Sequence, residues 1–138
     1  MAQQRIKIIT VWLLLIVCMI LHFDYHVSEL FYGIDIRNKD ADGTIPERIL
    51  FIRSAFHFLP LLYIVMVLWL ETKTVRIFQF ILSLMYTLSH CFHLAGEISK
   101  GNNPSQIVLL SVTAFLSLLL ILASWEWMKT QKNNTVTV

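Results

Sequence analysis

Ionisable side chains recur at helical spacing inside apolar surroundings at three places in the sequence. His22, His26 and Glu29 follow the i, i+4, i+7 pattern, Arg53 and His57 are i, i+4, and His90, His93 and Glu97 are i, i+3, i+7. Each set forms one stripe along a helix. Neutral imidazoles with carboxylates close by are the ligand set of zinc, and of non-haem iron, manganese or copper. Charged groups inside a membrane span cost about 2.5–3.5 kcal/mol each on insertion scales, and they normally face the bundle interior and mark a site. The expected chemistry is therefore that of a divalent transition metal, zinc first and iron or copper next, held by His22, His26, His57, His90 and His93. Glu29 and Glu97 are the candidate catalytic carboxylates, as general base toward metal-bound water or as partners of an imidazole N–H.

The elements that must carry these stripes are visible in hydropathy. Of 138 residues, 57% are hydrophobic and 14% charged, a composition that excludes a soluble domain of this size. Four apolar runs, Ile8 to Phe23, Ile49 to Leu70, Val75 to Leu94 and Ile107 to Trp127, approach or exceed the roughly 20 residues that cross about 30 Å of hydrocarbon. The expected fold is all-α, a single integral membrane domain built as an up-and-down four-helix bundle. Its helices are placed over about 6–32, 45–71, 74–100 and 104–128, with an extracytoplasmic loop at 33–44 and a flexible tail at 129–138. The first run follows Arg5 and Lys7 like a signal peptide, but no small-residue cleavage site follows it, so it is expected to be retained.

Arg5, Lys7, Lys73, Arg76, Lys129 and Lys132 fall on one side and Arg37, Lys39, Arg48 and Lys100 on the other. The positive-inside rule then puts both termini in the cytoplasm of a multi-pass protein of the cell (inner) membrane, with the histidines toward the extracytoplasmic face. Trp12, Trp69, Trp125 and Trp127 lie toward the cytoplasmic ends, as interfacial aromatics do. No basic tract suggests nucleic acid. Cys18 and Cys91 are single thiols without a CxxC, and read as small buried hydrophobes.

Local signals punctuate the runs. Gly33 can end the first helix in a left-handed cap. "TIPE" offers Thr44 as N-cap and Glu47 three residues on, a capping box, and Pro60 should kink the second helix just beyond His57. Asn103, Pro104 and Gln106 mark the start of the fourth helix. The run Asn38 to Gly43 copies the first half of a calcium-binding EF-hand loop, but its twelfth position is Ile49 rather than Glu. The series Ser111, Ala114 and Ser117 reads as close helix packing.

A depth count at 1.5 Å per residue from Ile8, Leu70 and Val75 puts His22, His57 and His90 at about 20–22 Å, and His26, Arg53 and His93 at about 26–27 Å. Glu29 and Glu97 follow at about 32–33 Å. The count favours His22, His57 and His90 as a three-histidine site with an open position; mixed levels, with His26, His93 and Glu29 or Glu97, are the alternative. Arg53 and Ser111 are the candidate cofactor- or substrate-binding residues, Ser111 by its hydroxyl at the first level and Arg53 beside a haem propionate in a haem-b reading. Asp24 lies on another face and can meet a second copy of the chain in a homo-oligomer.

Three functions compete. The first is a metal-dependent membrane enzyme acting on a lipid or small apolar substrate drawn from the bilayer. The second is a b-type haem electron-transfer protein ligated by His22 with His57 or His90. The third, an ion or proton transport component, is opposed by cytoplasmic helix halves with almost no polar residues. Length and helix count are similar to those of small four-helix glutathione-transferase-like membrane enzymes. Their pattern of Glu-Arg followed by Asn and Glu is not reproduced after Glu47–Arg48, so the likeness is of architecture only.

Overall fold

A computed structural model describes residues 2–36, 42–101 and 103–130. Helix α1 (Ala2–Ser28) runs into a 3-10 segment, Glu29–Tyr32. The second span is built from α2 (Glu47–Arg53), a π-helical segment (Ser54–Phe58) and α3 (Leu59–Trp69). Helices α4 (Lys73–Ser99) and α5 (Pro104–Lys129) follow. Four of these helical stretches are long and apolar enough to cross a membrane, and no strand occurs among the described residues. The protein is all-helical; α1 packs on α5 and on the second span, and α4 on α5 and α3.

The helix ends follow local chemistry, with one exception. Gly33 adopts φ 75°, ψ 15°, and the N–H groups of Gly33 and Ile34 close onto the carbonyls of Leu30 and Glu29. Only glycine takes that conformation without steric cost. Thr72 accepts from Val75 N–H at the start of α4, and Asn103 Oδ1 from Ser105 N–H before Pro104. The exception is the capping box at Thr44. The helix starts at Glu47 after Pro46, without a side-chain cap, because the Thr44 hydroxyl and N–H both donate to Asp42 Oδ1, at 2.6 and 2.8 Å. Those two donors hold the Asp42 carboxyl below the usual carboxylate range. Of the candidate calcium loop, Asn38 to Ala41 lie outside the described residues.

Pro60 leaves the carbonyl of Ala55 without its helical donor, in a π-helical turn at the place where the sequence expects a kink. In the π-helical segment Leu59 N–H reaches back to the Ser54 carbonyl, so the next bond of that pattern would come from residue 60 to the carbonyl of Ala55. Proline has no N–H to give. The Tyr86 hydroxyl on α4 donates to the Ala55 carbonyl instead. Tyr86→Phe strands that carbonyl inside the bundle, at an expected cost of about 1–3 kcal/mol. A loss within that range in denaturant unfolding of the purified protein checks the assignment; no change would refute it.

The core lies toward the end that carries Arg5 and Glu71. Ile8, Trp12, Leu15, Val67, Tyr86, Leu120, Ala123 and Trp127 form one buried cluster. The Trp12 indole N–H donates to Gln79 Oε1 at 3.3 Å, and Gln79 Nε2 donates to Ser124 Oγ at 3.3 Å. Arg5 Nε donates to the Val67 carbonyl at 3.0 Å, and the same guanidinium reaches the Leu68 carbonyl and pairs with Glu71, which fastens α1 to the end of α3. Arg76 lies buried, 5.5 Å from the Trp127 ring.

Two expectations change here. Trp12 and Trp127 are fully buried core residues rather than interfacial anchors, whereas Trp69 is 76% exposed. The half of the bundle expected to be almost free of polar residues buries Arg76, Gln79 and Ser83 on α4 and Ser117 and Ser124 on α5. The hydroxyls are satisfied by helix carbonyls: Ser83 donates to Phe80 O, Ser117 to Ala114 O, and Thr87, a turn further on, to both Ser83 O and Ser117 O. Small polar side chains thus join α4 to α5 at close range.

Candidate functional site

The opposite end of the bundle carries the histidines. His22 on α1 is buried and its Nε2 stands 3.1 Å from Nε2 of His93 on α4, so one ring donates and the other accepts. The His26 ring meets His22 edge-on at 4.8 Å between centroids, as the i, i+4 spacing dictates. Glu97, one turn beyond His93, is buried and accepts from Lys100 Nζ at 3.0 Å. Gln106, from the first turn of α5, lies against His22. His22 Nδ1 and both amide atoms of Gln106 are buried without a hydrogen bond of ordinary geometry among the described residues. The two groups are complementary, an imidazole nitrogen facing an amide that can donate or accept.

The sites expected from depth are divided. His90 is buried against the rings of Phe56 at 5.4 Å and Tyr86 at 6.2 Å. His57 turns to its own helix, its Nδ1 3.2 Å from the Arg53 carbonyl, and with Arg53 it lines a separate cleft beside Ile20, Phe23 and Phe58. The set His22, His57 and His90 is therefore not brought together. Glu29 lines a different hollow with Tyr25, Ser28, Tyr32, Asn103 and Ser105, apart from Glu97. Ser111 is exposed and its hydroxyl donates to the Ile107 carbonyl at 2.8 Å, so it does not reach the histidines. Among the described residues no group of three or more His, Cys, Asp or Glu side chains is placed to hold a metal ion.

The structure thus pairs His22 of the lower level with His93 of the upper. Trp12 and Gln79 meet at one height; His22 is ten residues further and His93 fourteen, a difference of about 6 Å along straight rods. A count along straight, parallel axes registers neither tilt, curvature nor side-chain reach, any of which can close a gap of one turn.

Beside the pair, a cleft of about 300 Å³ opens between α1, the second span and α4. His90, His93 and Glu97 form its polar wall, Met19, Ile52 and Phe56 its apolar wall, and Arg48 and Lys100 lie at its edge. Gln106 and Arg48 carry no signal in the spacing of the ionisable residues. Gln106 is nonetheless on the buried stripe of α5 that continues through Leu110, Thr113 and Ser117, and that periodicity points it inward. No family model, curated protein or solved structure matches the chain.

Proposed function

We propose that the chain is an integral membrane protein whose histidine pocket binds one divalent transition metal and serves as a metal-dependent enzyme on a lipid or small apolar substrate. In this reading the bundle is up-and-down with both termini cytoplasmic, and the pocket lies toward the extracytoplasmic face. His22 and His93 are the primary ligands, a rotation of His26 or Glu97 adds a third, and zinc ranks before iron or copper.

The observation that supports it is the 3.1 Å approach of two imidazole Nε2 atoms from different helices. Two nitrogens on one tetrahedral zinc at 2.0–2.1 Å are about 3.3 Å apart, so the pair stands near ligand spacing and would bind an ion once the shared proton moves to Nδ1 of its ring. A bound metal would supply an activated water or a polarised carbonyl. Glu97 is the nearby carboxylate suited to accept a proton, and Lys100 orients it. Met19, Ile52 and Phe56 give an apolar substrate its path to the polar wall.

A second reading, proton exchange without metal, rests on the same imidazole–imidazole hydrogen bond and on Glu97 one turn away. Haem b is less well supported, since the partners expected for His22 are engaged elsewhere: His57 bonds to its own helix and His90 packs against Phe56 and Tyr86. Elemental analysis of protein purified without chelator, with an absorption spectrum, separates the three. The expected result is near-stoichiometric zinc, iron or copper and no Soret band. Metal-free protein of unchanged thermal stability rejects the metal centre and leaves proton exchange; a Soret band makes it a haem protein.

A further inference from the structure

The cleft shared by Arg53 and His57 is separate from the histidine pair and has its own chemistry. It measures about 400 Å³, lies between α1 and the second span, and is lined by Ile20, Phe23, Phe58, Arg53 and His57. Arg53 is exposed there although it sits six residues past the start of α2 at Glu47, about 9 Å along the helix axis. Among the described residues no carboxylate lies within ion-pair distance of it; its contact is with the Phe23 ring, 5.8 Å from the guanidinium carbon. A guanidinium at a lipid-facing position calls for an anion or for access to the headgroup region.

His57 supplies a second polar group to the cleft. The Arg53 carbonyl can only accept, so His57 Nδ1 carries the hydrogen of their 3.2 Å contact and Nε2 is left as an acceptor, suited to a headgroup hydroxyl rather than to a phosphate oxygen. The rest of the lining is apolar, two aromatic rings and an isoleucine, which suits an acyl chain rather than a soluble metabolite. A forked guanidinium matched to phosphate oxygens, beside an imidazole, above an apolar trough, is complementary to one occupant drawn from the bilayer.

We infer that this cleft binds a phospholipid, its phosphodiester on Arg53, a headgroup hydroxyl on His57 Nε2 and an acyl chain along Phe23 and Phe58. A net-anionic headgroup is preferred over a choline headgroup, whose quaternary amine brings a positive charge toward the arginine. The site is independent of the proposed metal centre.

The test is native mass spectrometry of delipidated protein titrated with phosphatidylglycerol, phosphatidylcholine, diacylglycerol and inorganic phosphate. The expected result is one phosphatidylglycerol per chain, weaker phosphatidylcholine, and no retained diacylglycerol. Arg53→Gln is expected to weaken the phosphatidylglycerol adduct by at least about tenfold, while Arg53→Lys weakens it less and Arg48→Gln leaves it unchanged. Diacylglycerol binding as well as phosphatidylglycerol overturns the inference on the wild-type protein alone, and so does full retention by Arg53→Gln. Displacement of the lipid by inorganic phosphate at equal concentration shows a free-anion site and overturns the lipid assignment. Unchanged metal content in Arg53→Gln keeps this outcome distinct from that of the histidine pocket.

Discussion

His93→Ala is expected to bind zinc at least about 100-fold more weakly than the wild type. Loss of an outer partner of a ligand already costs roughly 10–100-fold in metal affinity, and His93 contributes one of only two nitrogens that converge. His22→Ala should do the same, because each ring supplies the other's partner at 3.1 Å. His57→Ala and Ser111→Ala are expected to leave affinity unchanged, since His57 binds its own helix and the Ser111 hydroxyl bonds to Ile107. Isothermal titration of zinc into detergent-solubilised protein reads all four. Metal lost on His57→Ala but kept on His93→Ala would move the centre to the Arg53 cleft and refute the pocket as placed. Glu97→Gln separates roles: as a proton acceptor it takes activity and spares affinity, whereas as the third ligand it lowers both.

The largest stability effect is expected for Trp12→Ala, a loss of about 3–5 kcal/mol. The ring is fully buried, meets Tyr86 edge-on at 4.8 Å and Tyr63 at 5.5 Å, and its N–H donates to Gln79. Truncation opens a cavity and leaves the Gln79 oxygen without its donor, so two penalties coincide. Trp69→Ala is the control, since a side chain 76% exposed should change stability by no more than about 0.5 kcal/mol. Equal losses in the two variants, read from reversible unfolding in mixed micelles, would contradict the packing described.

These two predictions divide what could be read from residue order from what could not. The four spans are evident in hydropathy because a membrane demands long apolar stretches whatever they pack against. The Gly33 cap is equally local, since a left-handed turn after a helix selects glycine. Trp12 and Trp69 are alike in type and lie toward the same side of the bundle, and only packing against Tyr63, Tyr86 and Gln79 makes the first a core residue. The capping box at Thr44 failed because Asp42, two residues before it, competes for the same hydroxyl.

The histidines show the same division. Their i, i+4 and i, i+3 spacings place each set on one side of its helix, and His22, His26 and His93 do come together. Which histidines meet across helices depends on tilt and rotation, and the pairing of His22 with His93 rather than His90 is a one-turn matter that rod-like counting misassigns. Arg53 and His57 share a depth with the other histidines, yet their side of the second span opens on another cleft.

Azimuth on that span has its own origin. A π-helical turn takes up about one residue more than an α-turn, so passing through Ser54–Phe58 re-phases what precedes it by about 100° against α3. Deleting one residue there would restore α-helical phase and swing Arg48 and Arg53 around the axis by that amount. The compass bearing of both arginines is thus kept by a missing amide hydrogen at Pro60 and by a phenol on a neighbouring helix.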